Sequence, residues 1–573
     1  MSTFREPDSP AAAAAQTAEG ERRQVIRSAG VVSVAVLASR VLGLVREQVF
    51  AAYFGAGFLN DAFQVGLRIL GPLRDLFAEG ALSVAFVKTF TDYCVRRGEE
   101  EAWRLASMVL NALLVVLSVV VLAGIFFAPQ IVALIAGDFP AEKAALAVTL
   151  TRIMFPFLLL IALAAVAMGV LNTKGRFAVP ASASLMFNVG SIAGGLLFAY
   201  WLSGGGWTSV RDPGAVPESA AQWAIIGMAI GTLIGGGLQF LVQLPSLLGV
   251  GFHYRPLLSF TDPGVRQVMR LMGPAVVGTA AVQVNVLVNT YFAASIDGGP
   301  SWLGYAFRLM QFPIGLFGIA VGTAVYPTIT RYAVEDNQHG FRSMLSSSLG
   351  LVFLLSVPSA CGLIVLARPI AALIYERGAF TSSDTRMVAA ALAAYAVGLA
   401  GYAAIKVLLP AFYALGDART PMLTSLLSIV VNVALGSMLM DWLSGYGVTA
   451  ETPRGYAHAG PALATSCVVL LNFAALSLLM RRKLRRLEGR RILSSFARIA
   501  LASTALSLAS HLTYRALAAA LGEASLGARL AVVAGSIAVG GAVFFASARL
   551  LSVRELSMAV GAITERLRKG GKD

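Results

Sequence analysis

Several ionisable residues of this chain lie where ionisable residues are expensive, inside long apolar runs. Arg40, Arg46 and Glu47 share one run, Asp61, Arg68, Arg74, Asp75 and Glu79 the next, and Arg308 and Lys406 lie in two later ones. An arginine at the centre of a membrane helix costs about 2.5–3.5 kcal/mol on insertion scales, so a group of them requires compensation from a bundle interior or a watery cavity. Two readings stand for the outer members. Arg46, Glu47, Asp61 and Lys88 lie close enough to segment ends to snorkel, and Asp75 and Glu79, four apart, can pair with nearby arginines on one helix face. Arg40, Arg74 and Arg308 are deeper, and cations outnumber the anions around them. A fixed excess of guanidinium groups calls for an anionic ligand. Phosphate and pyrophosphate match the planar fork, which grips two oxygens at once.

The elements that must position these groups are membrane helices. Of the 573 residues 57% are hydrophobic and only 13% charged, against about 25% charged in soluble domains. Apolar segments follow one another at roughly 26–54, 59–91, 104–128, 145–172, 178–203, 220–249, 264–296, 300–332, 342–367, 385–415, 420–444, 458–480, 493–520 and 527–551. Each is long enough to cross about 30 Å of hydrocarbon as a helix, and the short alternating segments of a membrane barrel do not occur. The net charge of +15 does not indicate nucleic-acid binding, because its residues are spread over short loops. The expected locations are a cytoplasmic tail at 1–24, a basic cytoplasmic tail at 553–573, and both termini inside. Positive residues such as Arg22, Arg96, Lys174 and the run from Arg481 to Arg491 then fall on the cytoplasmic side. The three cysteines and four histidines have no metal or redox spacing; no metal site and no cofactor are expected.

Helix breakers accompany the charges. Gly71 and Pro72 precede Arg74, Pro274 lies in the seventh segment, and Pro313 follows Arg308. These four are hinge candidates, with static kinks as the alternative. The chain also repeats at an offset near 240 residues: "APQIVALIAGDF" at 128–139 matches "ARPIAALIYERGAF" at 367–380. Six spans separate the matching elements, so the halves share one orientation, and a site is expected between them. The expected fold is an all-α integral membrane protein of about fourteen helices. Two pseudo-symmetric six-helix lobes, at 25–250 and 251–480, are followed by two extra helices at 481–552.

Longer stretches carry a resemblance. "SRVLGLVREQVFAAYFGAGFLNDAF" at 39–63, "LRDLFAEGALSVAFV" at 73–87 and "YAFRLMQFPIGLFGIAVGTAVYPTITR" at 305–331 resemble the MurJ (MviN) family of lipid II flippases, as does the stretch 376–421. That family belongs to the multidrug/oligosaccharidyl-lipid/polysaccharide flippase superfamily. The resemblance implies movement of undecaprenyl-pyrophosphate-linked disaccharide-pentapeptide across the bacterial cytoplasmic membrane for peptidoglycan synthesis. It implies membrane lipids and the cell-wall synthesis machinery as partners, and alternating access as the mechanism. As substrate-binding residues it implies Ser39, Arg40, Arg46, Glu47, Asp61, Arg74, Glu79, Arg308 and Lys406. Phe307 and Gln311 stand where many members are acidic, so coupling through those positions is not expected. Some members are thought to bind sodium through acidic residues in helices 7, 11 and 12; those segments here hold Asn285, Asn289 and Asn432 and no central Asp or Glu, so that sodium site is not expected. Membrane potential or an ion is left open as the driving force. The alternatives are another substrate of the same superfamily, a drug or a polysaccharide-linked lipid, and a membrane-embedded enzyme of polyprenyl phosphates, which would need a catalytic cluster that the sequence lacks.

Overall fold

The computed structural model describes residues 32, 34–76, 81–205, 218–450, 452–485, 489–558 and 560–561. The tail 1–24, the end from 562 onward and Glu79 lie outside the described residues. Among those described there is no strand. Backbone groups in hydrocarbon have no water to bond, and a helix satisfies them within itself.

Among the described residues every apolar segment of the sequence is helical, but several are not single helices. The first is α1 (34–54). The second divides into α2 (Phe58–Arg74) and α3 (Ala81–Arg96). Then follow α4 (Glu99–Phe126), the short α5 (Ala128–Ile135), α6 (Ala141–Met154), α7 (Phe157–Thr173), α8 (Ala178–Leu202), α9 (Glu218–Leu241) and α10 (Leu244–Gly249). The next group is α11 (Pro263–Ala294), α12 (Gly299–Pro313), a π turn at Ile314–Ile319 and α13 (Ala320–Val334). The order then recurs: α14 (Gln338–Val365), short α15 (Ala367–Tyr375), α16 (Ser382–Val397), α17 (Leu399–Ala414), α18 (Arg419–Leu443) and α19 (Ala459–Lys483). Two last helices, α20 (Gly489–Leu521) and α21 (Leu526–Leu550), complete the chain. The two short helices α5 and α15 carry the repeated sequence at 128–139 and 367–380.

Among the described residues, ten helical stretches are long and apolar enough to cross a membrane, or eleven with α16 and α17 taken as one span bent by 43°. The sequence segments outside that set are α1, the α2–α3 pair and α11. Of these, α1 and α2 hold the intramembrane charges, and α11 contributes Gln283, Asn285 and Asn289 to polar contacts in the interior.

Four buried clusters hold the bundle together. Phe50 of α1, Phe63 of α2, Leu150 of α6 and Ile225 of α9 belong to one, and Phe86, Leu105, Ile161 and Val265 to a second. Tyr305, Ala371 and Leu392 join α12, α15 and α16 in a third, which also takes Ala51 of α1. The fourth includes Leu349, Val407 and Leu476, and α20 and α21 enter it through Ile499 and Ala548. Lipid tails are as apolar as leucine, so helix association in a membrane depends on close packing. The α8–α9 contact depends on glycine: a Cβ on Gly231 would stand 2.4 Å from the Gly195 Cα, and one on Gly227 2.3 Å from the Ala199 nitrogen.

Candidate functional site

Ser39, Arg40 and Arg46 of α1, Arg74 at the end of α2, and Arg308 and Gln311 of α12 line one cavity of about 220 Å³, closed from α8 and α9 by Asn188 and Gln239. Arg40 and Arg308 are 268 residues apart in sequence (308 − 40) and face the same space. Helix periodicity places Arg308, Gln311 and Phe312 on one face of α12, and that face is the cavity wall.

Gln311 joins two of the arginines. Its backbone oxygen accepts from Arg40 Nη1 at 3.4 Å, and its side-chain oxygen accepts from Arg308 Nη1 at 3.5 Å. The π turn after Pro313 brings Gly315 against Arg40, where a Cβ would lie 2.0 Å from Nη1. Any side chain there would displace the guanidinium group. Glu47, nearly fully buried, accepts from Arg46 at 3.1 Å and from Arg308 at 3.0 Å. Arg46 also lies over the Phe187 ring, 5.4 Å from its centroid. Arg74 donates to Asp75 at 2.9 Å, and Gln283 of α11 donates to the other oxygen of Asp75 at 2.6 Å. Ser39 accepts from the Asn188 amide through its backbone oxygen at 3.2 Å. Among the described residues, four guanidinium groups thus line a cavity whose contacting carboxylates are two, Glu47 and Asp75. This surplus is suited to holding an anion by charge-assisted, two-pronged hydrogen bonds.

Two other residues expected at the site lie elsewhere. Asp61 is fully buried and accepts from Lys143 Nζ at 2.7 Å, from the Gly298 and Ser301 backbone N–H groups at 2.8 and 3.0 Å, and from Ser301 Oγ at 2.6 Å. It ties α2 to α6 and to the start of α12 rather than lining the cavity. Lys406 lines a second cavity with Arg68. Gly71 and Pro72 fall in the last turn of α2, just before π-type geometry at 75–76, and Pro313 opens the π turn Ile314–Ile319. A proline lacks the N–H of a regular turn, and a widened turn accommodates that loss. The helix α11 continues through Pro274. Sequence reasoning did not select Asn188, Gln239 or Gly315. Asn and Gln in an apolar segment were the available signal for the first two; a single glycine gave none.

Fold and site together define an all-helical integral membrane protein built around an arginine-lined cavity. The sequence profile described as lipid II flippase MurJ matches residues 50–522. A curated lipid II flippase MurJ of Burkholderia cenocepacia is 37% identical over 459 residues, covering 79% of this chain and 83% of that protein. The probable lipid II flippase MurJ of Rhizobium meliloti is 32% identical, over 93% of this chain and 95% of its own. Among solved structures, a lipid II flippase MurJ in an inward closed conformation superposes with a TM-score of 0.70 at 25% identity, covering 91% of this chain and 98% of its own. An inward-facing multidrug-resistance MATE transporter of the MOP superfamily shares the fold at a TM-score of 0.62 and 14% identity, over 78% of this chain and 95% of its own. The chain belongs to the MurJ family of lipid II flippases.

Proposed function

We propose that this protein moves lipid II, the undecaprenyl-pyrophosphate-linked disaccharide-pentapeptide, from the inner to the outer leaflet of the bacterial cytoplasmic membrane. One observation carries the reading: Arg40, Arg46, Arg74 and Arg308, from three helices in both halves of the chain, surround one cavity with only two contacting carboxylates among the described residues. A pyrophosphate is the part of that lipid that such a cavity can hold. The halves 25–250 and 251–480 act as rocking bodies, with α12 and its π turn at their junction, and the cavity opens to one leaflet and then the other. The isoprenoid tail stays in the bilayer beside α20 and α21. Both termini face the cytoplasm. The cycle requires no bond to be broken and no cofactor. Membrane potential, about 2.3 kcal/mol per elementary charge per 100 mV, acts on the fixed charges and on the anionic headgroup. A drug exporter of the same fold would favour apolar cations, which these arginines repel. The test is complementation: the chain should rescue a bacterium depleted of its own lipid II flippase, and failure of a well-expressed, membrane-inserted chain to do so would count against the reading.

A further inference from the structure

A second cavity, of about 240 Å³, lies beside another face of α12. Pro300, Leu303 and Phe307 line it, whereas the next residue, Arg308, lines the first cavity. Successive residues of a helix point about 100° apart, so the two cavities flank the same helix. Arg68 of α2 and Lys406 of α17 both contribute to the second cavity, and its lining contains no carboxylate. Arg68 lies over the Phe307 ring at 5.8 Å from its centroid, and among the described residues neither cation has a hydrogen bond or an ion pair. The remaining polar wall is neutral. Asn289 donates to Thr465 at 2.7 Å, Asn432 to Asn289 at 3.0 Å, and Asn285 to Ser428 at 3.1 Å. Among the described residues the side-chain oxygens of Asn285 and Asn432 in that ladder, and of Asn472 elsewhere on the same wall, are buried without a donor.

We infer that this cavity is a subsite for the free carboxylate end of a peptide, the stem peptide of the lipid-linked substrate; the identity of that peptide rests on the lipid II reading. Two fixed cations without a carboxylate repel a metal ion. A bare inorganic anion would answer Arg68 and Lys406 but bring no N–H for the amide oxygens. A peptide terminus brings both groups, a carboxylate for the cations and backbone N–H donors for the asparagines. A pyrophosphate at Arg40 and Arg308 would hold one end of the headgroup while Arg68 and Lys406 hold the other, with α12 between them.

The test uses the purified full chain and three soluble probes: a pentapeptide with a free C-terminal carboxylate, the same peptide capped as an amide, and inorganic pyrophosphate. The expected result is that the free acid binds at least about tenfold more tightly than the amide, a difference of about 1.4 kcal/mol. Lys406→Gln and Arg68→Gln should each remove that preference, while Lys406→Arg, which keeps the charge, retains it. Variants are compared only when monodisperse, and if neither Gln variant folds, the acid–amide contrast in the unaltered chain decides. Equal binding of acid and amide, no binding of either, or an unchanged preference in Lys406→Gln would overturn the subsite. Failure of the pyrophosphate arm alone, with the carboxylate preference intact, would count against the lipid II reading and support an independent peptide-carboxylate site.

Discussion

Arg40 and Arg308 show how the cavity sets each guanidinium group. Arg40 has one weak neutral contact, the Gln311 carbonyl at 3.4 Å, whereas Arg308 is held by Glu47 at 3.0 Å. Arg40 is therefore the cation with the most unspent hydrogen-bonding capacity facing the cavity. Its planar fork matters more than its charge, so Arg40→Lys and Arg308→Lys should each cut lipid II transport by at least about tenfold, and the alanine variants should abolish it. Complementation with matched expression reads this; near-normal rescue by lysine would mean that charge alone suffices. A second residue-scale prediction concerns the loop between α17 and α18. Asp417 accepts from Lys483 Nζ at 2.8 Å and from the Thr420 backbone and hydroxyl, and the Lys483 bond foremost lowers its pKa to about 2 from the ordinary 3.8. Because the folded value is the lower one, the stabilisation is present at neutral pH and is lost as pH falls through about 4 towards about 2. Asp417→Asn should lower the unfolding midpoint at pH 7 and converge with the parent chain near pH 2; a pH-independent gap would show that the carboxylate charge is not the cause. The arginines were legible in sequence because burying a charge is costly and requires a reason. Gln311, Asn188 and Gly315 were not, because a neutral residue in a membrane helix carries little such signal. Asp61 was read into the site through the family resemblance, which does not distinguish a carboxylate that meets a ligand from one that holds a neighbouring helix.

At the scale of the element, apolar length located the helical segments, ten or eleven of which qualify as spans among the described residues, but not where they break. The breaks at 75–76, after Pro313 and at Gly398 depend on local backbone geometry that hydropathy averages away. The α1, α2–α3 and α11 segments were read as spans from apolar length, and the loop charges agree with that count. The small residues of α8 and α9 show how packing substitutes for a hydrophobic driving force within the membrane. Gly231→Val would place a side chain against the Gly195 backbone at 2.4 Å, with the Ser191 carbonyl at 2.7 Å. Overpacking of this kind costs about 1–3 kcal/mol, so the variant should unfold at a lower temperature in detergent. An unchanged midpoint would show that the two helices part easily. Gly237, with open space where a Cβ would be, is the matched control on the same helix.

Across the whole molecule, the Asp61 cluster and the arginine cavity divide the work. One carboxylate receives four donors from α6 and the start of α12, and a backbone bond from Ala379 N to Ala52 O at 2.8 Å ties α1 to the α15–α16 loop. These contacts bind the first half of the chain to the second away from the cavity, and rocking would have to release them. Asp61→Ala strips α12 of its cap and leaves buried donors unanswered, a loss of about 3–5 kcal/mol for a broken buried ion pair. It should lower the thermal midpoint well beyond Asp417→Asn, and an equal or smaller effect would mean that the cluster is not a lock. The most direct measurement of the central claim is lipid II exchange between leaflets of proteoliposomes containing the purified chain. Exchange well above that of protein-free vesicles is expected for the unaltered chain, and exchange at the protein-free level for Arg40→Ala and Arg308→Ala inserted in equal amount. Exchange by those two variants at the rate of the unaltered chain would contradict the claim.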